Sequence, residues 1–454
     1  MSAAVSLSAL QQTSTPARPH ILHSNVVEVY SLAALLMFAP LAFGAVEPWA
    51  IWVLQTLSTA LFSSWLLRQI RASRLMLKWN PVFLPMGAFA LLTLAQLLPG
   101  VSSYRHATES SLLLYVAYGL VCFLLTQVLE RTTHLRHLTT AFVVYGAGMA
   151  MLAVLQSLSS NGKLYWVRTP HFGGWIYGPY VNHNHYAGLL EMLTPIPLVF
   201  AFSRYANGKK KWAAAAAAAF MGASIFLSGS RGGMAAFAIQ IAIFFVFLFR
   251  ERTQNRIALL MGAFLLIALA SVAWIGGSDV SSRISTLADY KHPDLNADIR
   301  LKIDRDGMRM ISARPLLGWG LGTFADVYPQ FRSFYTSLVV DKAHNDYLQL
   351  AAETGLLGIA AAIWFLWSTL RSAWGKTHKW VSDINGGVSV AAIIAIVGIM
   401  VHSLVDFNLQ IPANAALFYA MCTIAAIPPR FSSRRRDRNS RSNPQADSAA
   451  CPIS

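Results

Sequence analysis

HNDYLQLAAETGLLGIAAAIWFLWSTLR, His344 to Arg371, joins two kinds of chain in one stretch. Its head carries His344, Asn345, Asp346 and Glu353, the polar residues of a segment that meets water. From Thr354 to Leu370 it is almost wholly apolar, and Arg371 ends the run. An apolar run approaching about 20 residues crosses the hydrocarbon core of a bilayer as a helix. A histidine at its head can work in water while the helix behind it is anchored in the membrane.

Similar runs recur along the chain, and twelve spans are legible at 27–46, 49–67, 81–98, 111–129, 139–157, 184–203, 212–228, 233–249, 257–275, 354–371, 387–407 and 411–428. The 454 residues are 55% hydrophobic and only 12% charged, with a mean hydropathy of +0.47. A soluble domain usually carries about 25% charged residues. A membrane β-barrel would show alternating ten-residue segments instead. The expected class is an all-α polytopic membrane protein with about 12 transmembrane helices.

The net charge of +16 invites a nucleic-acid reading, but its distribution is topological. Arg68, Arg71, Arg74 and Lys78 follow the second span, and Arg131 and Arg136 the fourth. Arg204 and Lys209 to Lys211 follow the sixth, Arg250, Arg252 and Arg256 the eighth, and Arg371, Lys376 and Lys379 the tenth. Basic loops stay on the cytoplasmic side, so these connections and both termini are expected there, and no nucleic-acid partner is expected. Opposite short loops carry only Arg105, Lys163, Arg168 and Arg231. Residues 1–26 read as a cytoplasmic tail, 27–428 as the transmembrane domain, and 429–454 as a basic, disordered cytoplasmic tail. No signal-peptide pattern opens the chain, so the first helix is expected to remain as an anchor. Cys122 and Cys422 fall inside spans and Cys451 in the tail, which leaves no metal-spaced pair and no outward disulfide.

Two outward segments are longer than the rest. Residues 158–183 hold Tyr165, Trp166, Trp175, Tyr177 and Tyr180; residues 276–353 form a long polar loop whose apolar repeats predict helices within it. Loops this long in a compact fold are usually functional. Chemistry is therefore expected on the outer face.

Five groups of residues can carry it. Ser228-Gly229-Ser230-Arg231-Gly232-Gly233 is a tight turn that sets Arg231 where a helix begins, adding its charge to the helix dipole and suiting phosphate. Arg300, in the long loop, offers a guanidinium fork for phosphate oxygens, whereas Arg305, Arg309 and Arg314 beside Asp304 and Asp306 read as a solvated face. His344 suits proton acceptance from a hydroxyl, and a helix continuing from it would put Tyr347 or Leu348 on the same face. Asn182, His183, Asn184 and His185 stand at the mouth of the sixth span, for sugar hydroxyls or for plain loop structure; a metal site there is disfavoured because no carboxylate or thiolate stands beside them. Glu191, His402 and Asp406 lie in or near the membrane, where ionisable groups are costly. His402 and Asp406 are four apart and could share a helix face.

Five fragments carry a resemblance: GPYVNHNHYAG at 178–188, LSGSRGG at 227–233, Arg300 fifteen residues before PLLGWGLGTF, HNDYLQLAAETGLLG from His344, and HSLVDFNLQIPAN from His402. In this order they resemble the O-antigen ligase and polymerase superfamily of bacteria over roughly residues 175–415. The pattern of His-Asn, nine residues and GxxG is the most specific. The resemblance implies a GT-C-type glycosyltransferase of the inner membrane with its site facing the periplasm. It would move a glycan from undecaprenyl diphosphate to an acceptor hydroxyl, with inversion and without a metal or other cofactor. Arg231 and Arg300 would hold the diphosphate, His344 would activate the hydroxyl, and Asn182, His183, Asn184, His185, Asn345 and Asp406 would contact substrate. The family favours tryptophan where this chain has Asp304, which leaves the packing around Arg300 open. A lipid or glycan acceptor, lipid A–core above all, is expected because the soluble domains frequent in protein-glycosylating relatives are not legible here. A polymerase has the same donor chemistry. A twelve-helix secondary transporter is the reading from another class, opposed by halves that do not resemble each other.

Overall fold

A computed structural model describes residues 20–73, 75–170, 174–251, 297–335 and 339–429. Its helices are α1 (His20–Leu41), α2 (Pro48–Arg71), α3 (Phe83–Gln96), α4 (Arg105–Val128), α5 (Thr132–Leu158), α6 (His183–Leu193) and α7 (Pro195–Phe202). They continue as α8 (Lys209–Leu227), α9 (Arg231–Phe249), α10 (Ala297–Ala313), α11 (Phe324–Val327), α12 (Asp346–Trp374), α13 (Ile384–His402) and α14 (Pro412–Ala426). No strand occurs among the described residues. Eleven of the twelve expected spans fall on these helices, α6 and α7 together making the sixth. The ninth, at 257–275, lies outside the described residues, as do residues 276–296 and most of both tails.

Among the described residues, seven spans are long and apolar enough to cross a membrane, while α1, α3 and α14 are shorter apolar helices. The chain is an all-α, multi-pass membrane protein. Its exterior is apolar, unlike that of a soluble domain, and covers an interior that is also apolar apart from a minority of buried polar groups. Trp52, Leu57 and Leu67 of α2 are exposed, as lipid-facing residues are, whereas Gln156, Gln240 and Asn414 are buried. These buried amides are hydrogen-bonded, as burial away from water demands: Gln240 donates to the Glu191 carbonyl at 2.9 Å and Asn414 to the His185 carbonyl at 2.9 Å. The α6–α7 span is 94% buried and α13 83%, against 22% for α2, so the first two form the centre of the bundle and α2 its rim. Pro195 has no N–H to give, and the central span is interrupted at Thr194 just before it.

The long loop before α12 is built, not slack, over its described part. Ile303 and Met310 of α10 pack with Phe324, Val327, Tyr328, Ala343 and Leu348 in a second small core. The buried Asp306 carboxylate ties this roof together by accepting from the Ser333 amide at 2.9 Å and its hydroxyl at 3.1 Å.

The roof is locked to α12 through Gly355. This residue has φ 64° and ψ −166° inside the helix, so the helix ladder is broken there. PLLGWGLGTF fills the break. Trp319 and Gly320 amides donate to the Ala352 and Glu353 carbonyls at 3.1 and 2.9 Å, and the Leu356 and Leu357 amides donate to the Pro315 and Leu316 carbonyls at 2.8 and 3.3 Å. The Glu353 carboxylate accepts from the Gly322 and Phe324 amides at 2.8 and 3.2 Å, and Gln96 of α3 donates to the Leu317 and Glu353 carbonyls at 2.6 and 2.8 Å. Gly355 thus does more than allow close helix approach: it opens a helix so that a loop can complete it.

Candidate active site

Residues 402–407, the chain between α13 and a short turn before α14, form a hub on which the separated sequence fragments meet. Three helix N-termini and one C-terminus point at it. Asn182 caps α6 by accepting from the Asn184 amide at 2.9 Å, and Ser230 caps α9 by accepting from the Gly233 amide at 3.1 Å. Asn345 caps α12 by accepting from the Tyr347 and Leu348 amides, both at 3.1 Å. Caps of this kind satisfy amides that a helix start leaves open. The positive ends of three helix dipoles therefore converge, which favours anions.

His344 stands outside α12, in a left-handed turn at φ 54°. This conformation costs a side-chain-bearing residue about 1–2 kcal/mol, and such strain concentrates at functional sites. The expected helix face running from His344 through Tyr347 or Leu348 is not formed, because the helix begins at Asp346, after the Asn345 cap. The turn instead sets His344 Nδ1 3.7 Å from Asp406 Oδ1, while His185 Nε2 approaches the same oxygen at 3.9 Å. These are ion-pair rather than hydrogen-bond distances. The Phe407 ring lies edge-on to both imidazoles, its centroid 4.7 Å from each.

Asp406 is 1% exposed. Burial alone would push its carboxyl up, but His344, His185 and His402 outweigh that and hold it well below the usual carboxylate range. It is a fixed negative charge between imidazoles. Asp346 clamps the start of α12 to the hub: its carboxylate accepts from the Ser403 hydroxyl at 2.7 Å and the Leu409 amide at 3.0 Å.

Arg300 and the turn that carries Arg231 reach the hub's margin. Arg300 donates to the Val405 carbonyl at 2.8 Å, one residue from Asp406. Half-buried Asp304 has its carboxyl raised by burial, opposed by Arg300 and His344, so this acid faces the site where a tryptophan was the pattern. Arg231 opens α9 and is exposed, as the turn spacing predicts. A Cβ built on Gly232 would lie 3.0 Å from Val405 and 2.6 Å from the His402 ring, so the bare backbone of the Arg231 turn rests directly on the hub. By contrast, Arg309 pairs with Asp306 at 3.3 Å, and Arg314 donates to the Val101 carbonyl at 2.7 Å while lying over the Trp319 ring. Arg305 is exposed.

The remaining candidates divide by burial. His183 is buried against Trp175, ring centroids 4.7 Å apart, and His185 is buried beside Asp406. Asn184 is partly exposed. Asn182 and Asn345 use their side-chain oxygens as helix caps. His402 and Asp406 do not share a helix face, since α13 ends at His402; His402 Nδ1 bonds Glu191 Oε1 at 2.9 Å instead. Sequence reading had no local signal for that pair, whose members are 211 residues apart, nor for the hold of Gln96 on the PLLGWG loop.

No curated protein matches the chain. Residues 216–363, from α8 to the middle of α12, match the family model described as O-antigen ligase. The matched stretch holds Arg231, Arg300 and His344, while His185, Glu191, His402 and Asp406 lie outside it. Residues 216–363 are thus similar to an O-antigen ligase domain, a likeness that supports the resemblance to the O-antigen ligase and polymerase superfamily.

Proposed function

We propose that the protein is an O-antigen ligase that transfers a glycan from undecaprenyl diphosphate to a hydroxyl of lipid A–core at the periplasmic face of the bacterial inner membrane. The observation that carries this reading is the 3.7 Å approach of His344 Nδ1 to a buried carboxylate, with Arg300 anchored on the adjacent Val405 carbonyl. With Nδ1 turned to Asp406, the opposite ring nitrogen is the one that accepts the acceptor's proton. The acceptor oxygen attacks the anomeric carbon, the bond from that carbon to the diphosphate oxygen breaks with inversion, and the proton rests on His344. Asp406 stabilises the imidazolium so formed. The leaving diphosphate gathers negative charge, which Arg231, Arg300 and the helix N-termini offset, an electrostatic stabilisation that grows along the reaction coordinate. Asn184, partly exposed at the mouth of α6, is a sugar-hydroxyl contact in this reading.

Topology supports the outward orientation. A 19-residue helix such as α9 spans about 28 Å, which separates Arg231 from Arg250 by the thickness of a bilayer core. The site lies at the Arg231 end, away from the basic connections that the positive-inside rule assigns to the cytoplasm.

The test is transfer in a purified system containing an undecaprenyl-diphosphate-linked oligosaccharide and lipid A–core, followed by gel and mass spectrometry. Glycan should appear on lipid A–core and be absent with His344→Ala, a variant that still inserts. A ladder of longer lipid-linked glycans would make the protein a polymerase with the same donor chemistry. A donor left untouched would overturn the reading.

A further inference from the structure

The donor site described above leaves one pair of buried ionisable groups without a task. Glu191, near the middle of the α6–α7 span, is 0% exposed, and His402, the last residue of α13, is 1% exposed. Their 2.9 Å bond joins two of the most enclosed helices of the bundle. Burying a carboxylate and an imidazole is expensive, and stability alone rarely selects a buried ion pair over apolar packing. The second Glu191 oxygen, Oε2, is buried and has no hydrogen-bond partner among the described residues.

What lies on top of the pair is the Arg231 turn. A Cβ at Gly232 would stand 2.6 Å from His402 Cδ2 and 2.8 Å from Nε2; one at Gly233 would stand 3.0 Å from Glu191 Oε1 and 2.7 Å from the Ala187 methyl. Both glycines are therefore in backbone contact with the pair, and neither has room for a side chain. The imidazole is held from behind through Nδ1, and its opposite edge is the surface on which the first turn of α9 rests.

We propose that Glu191 and His402 are positioning residues that fix the height and tilt of the Arg231 turn, so that its guanidinium meets the donor's diphosphate. The inference rests on the reading of Arg231 as a diphosphate ligand. It extends that reading by assigning the buried pair to donor binding and not to proton transfer at His344. The glycines of SRGG then have a reason beyond turn geometry: they let backbone lie on an imidazole.

The experiment measures the Kd of undecaprenyl diphosphate for the full-length protein in detergent, together with kcat and the KM of each substrate in the transfer assay. His402→Ala and Glu191→Ala should weaken diphosphate binding and raise donor KM at least tenfold, with acceptor KM changed less than threefold. Glu191→Gln keeps an oxygen for Nδ1–H and should restore donor binding to within threefold of wild type. Gly232→Ala probes the same contact from the other side, should His402→Ala fail to accumulate. Gly232→Ala should also weaken binding at least tenfold, and Gly232→Ala/His402→Ala should bind no more weakly than His402→Ala alone, because a shared contact makes effects non-additive. Wild-type Kd in both alanine variants, alongside loss of binding in Arg231→Ala, would overturn the positioning role while leaving the donor site standing. So would an equal rise in both KM values. Wild-type binding by Arg231→Ala would instead remove the donor reading itself, and the inference with it.

Discussion

Asp406→Asn isolates electrostatics from shape. Asparagine matches the aspartate in size and sits in a fully buried slot, so the hub should fold around it and His344 should keep its turn. What changes is the charge facing His344 Nδ1 across 3.7 Å. Two unit charges at that distance, in an effective dielectric of about 20, attract by about 4.5 kcal/mol. The carboxylate is 1% and the histidine side chain 17% exposed, so solvent screening takes only part of this. The attraction exists only once His344 has accepted a proton, so its loss falls on the barrier and not on substrate binding. At about 1.4 kcal/mol per tenfold, with allowance for the partial exposure, kcat should fall by about 10² to 10³. Donor KM should stay within a factor of about three, because the arginines proposed to hold the diphosphate are untouched. The assay is initial-rate transfer at saturating donor and acceptor, with far-UV circular dichroism to confirm the fold. A kcat within threefold of wild type would refute the claim that Asp406 stabilises an imidazolium at His344.

Arg231→Lys keeps the charge but loses the planar fork that grips phosphate oxygens in pairs; donor KM should rise about tenfold, measured by initial rates with donor varied. Gly355→Ala forces a methyl group into the Leu316 carbonyl at a positive φ of 64°; about 1–2 kcal/mol for the backbone plus the overlap should lower the thermal midpoint by several degrees and loosen the roof over His344, as read by thermal unfolding in detergent and limited proteolysis of the 315–324 loop. The carboxyl of Asp406 is depressed in the fold, so its contribution to stability is fully present above its unfolded value, about pH 4, and drains away as pH falls through the folded value. The gap in thermal midpoint between wild type and Asp406→Asn should therefore be widest near neutral pH and narrow on acidification below about pH 4; a gap independent of pH would show that Asp406 contributes through shape alone.

The sequence by itself determined the class and most of the helices, because a bilayer admits little else. Long apolar runs between basic connections must become helices, and tight turns such as SGSRGG must start the next one. Composition and periodicity carry that information locally. The sequence also marked His344, Arg231, Arg300 and Asp406 by residue type and spacing. It did not show how they meet. His344 left the helix for a left-handed turn, because Asn345 is the better cap and begins α12 one residue later. Gly355 became a gap in a helix, a state that only the PLLGWG loop, more than 30 residues away in sequence, can stabilise through its amides and carbonyls. His402 turned to Glu191 across 211 residues and away from Asp406, four positions on, because α13 stops at His402. Each of these choices depends on a hydrogen-bond partner or a steric limit supplied by a distant segment, and only the assembled tertiary structure brings those partners within reach.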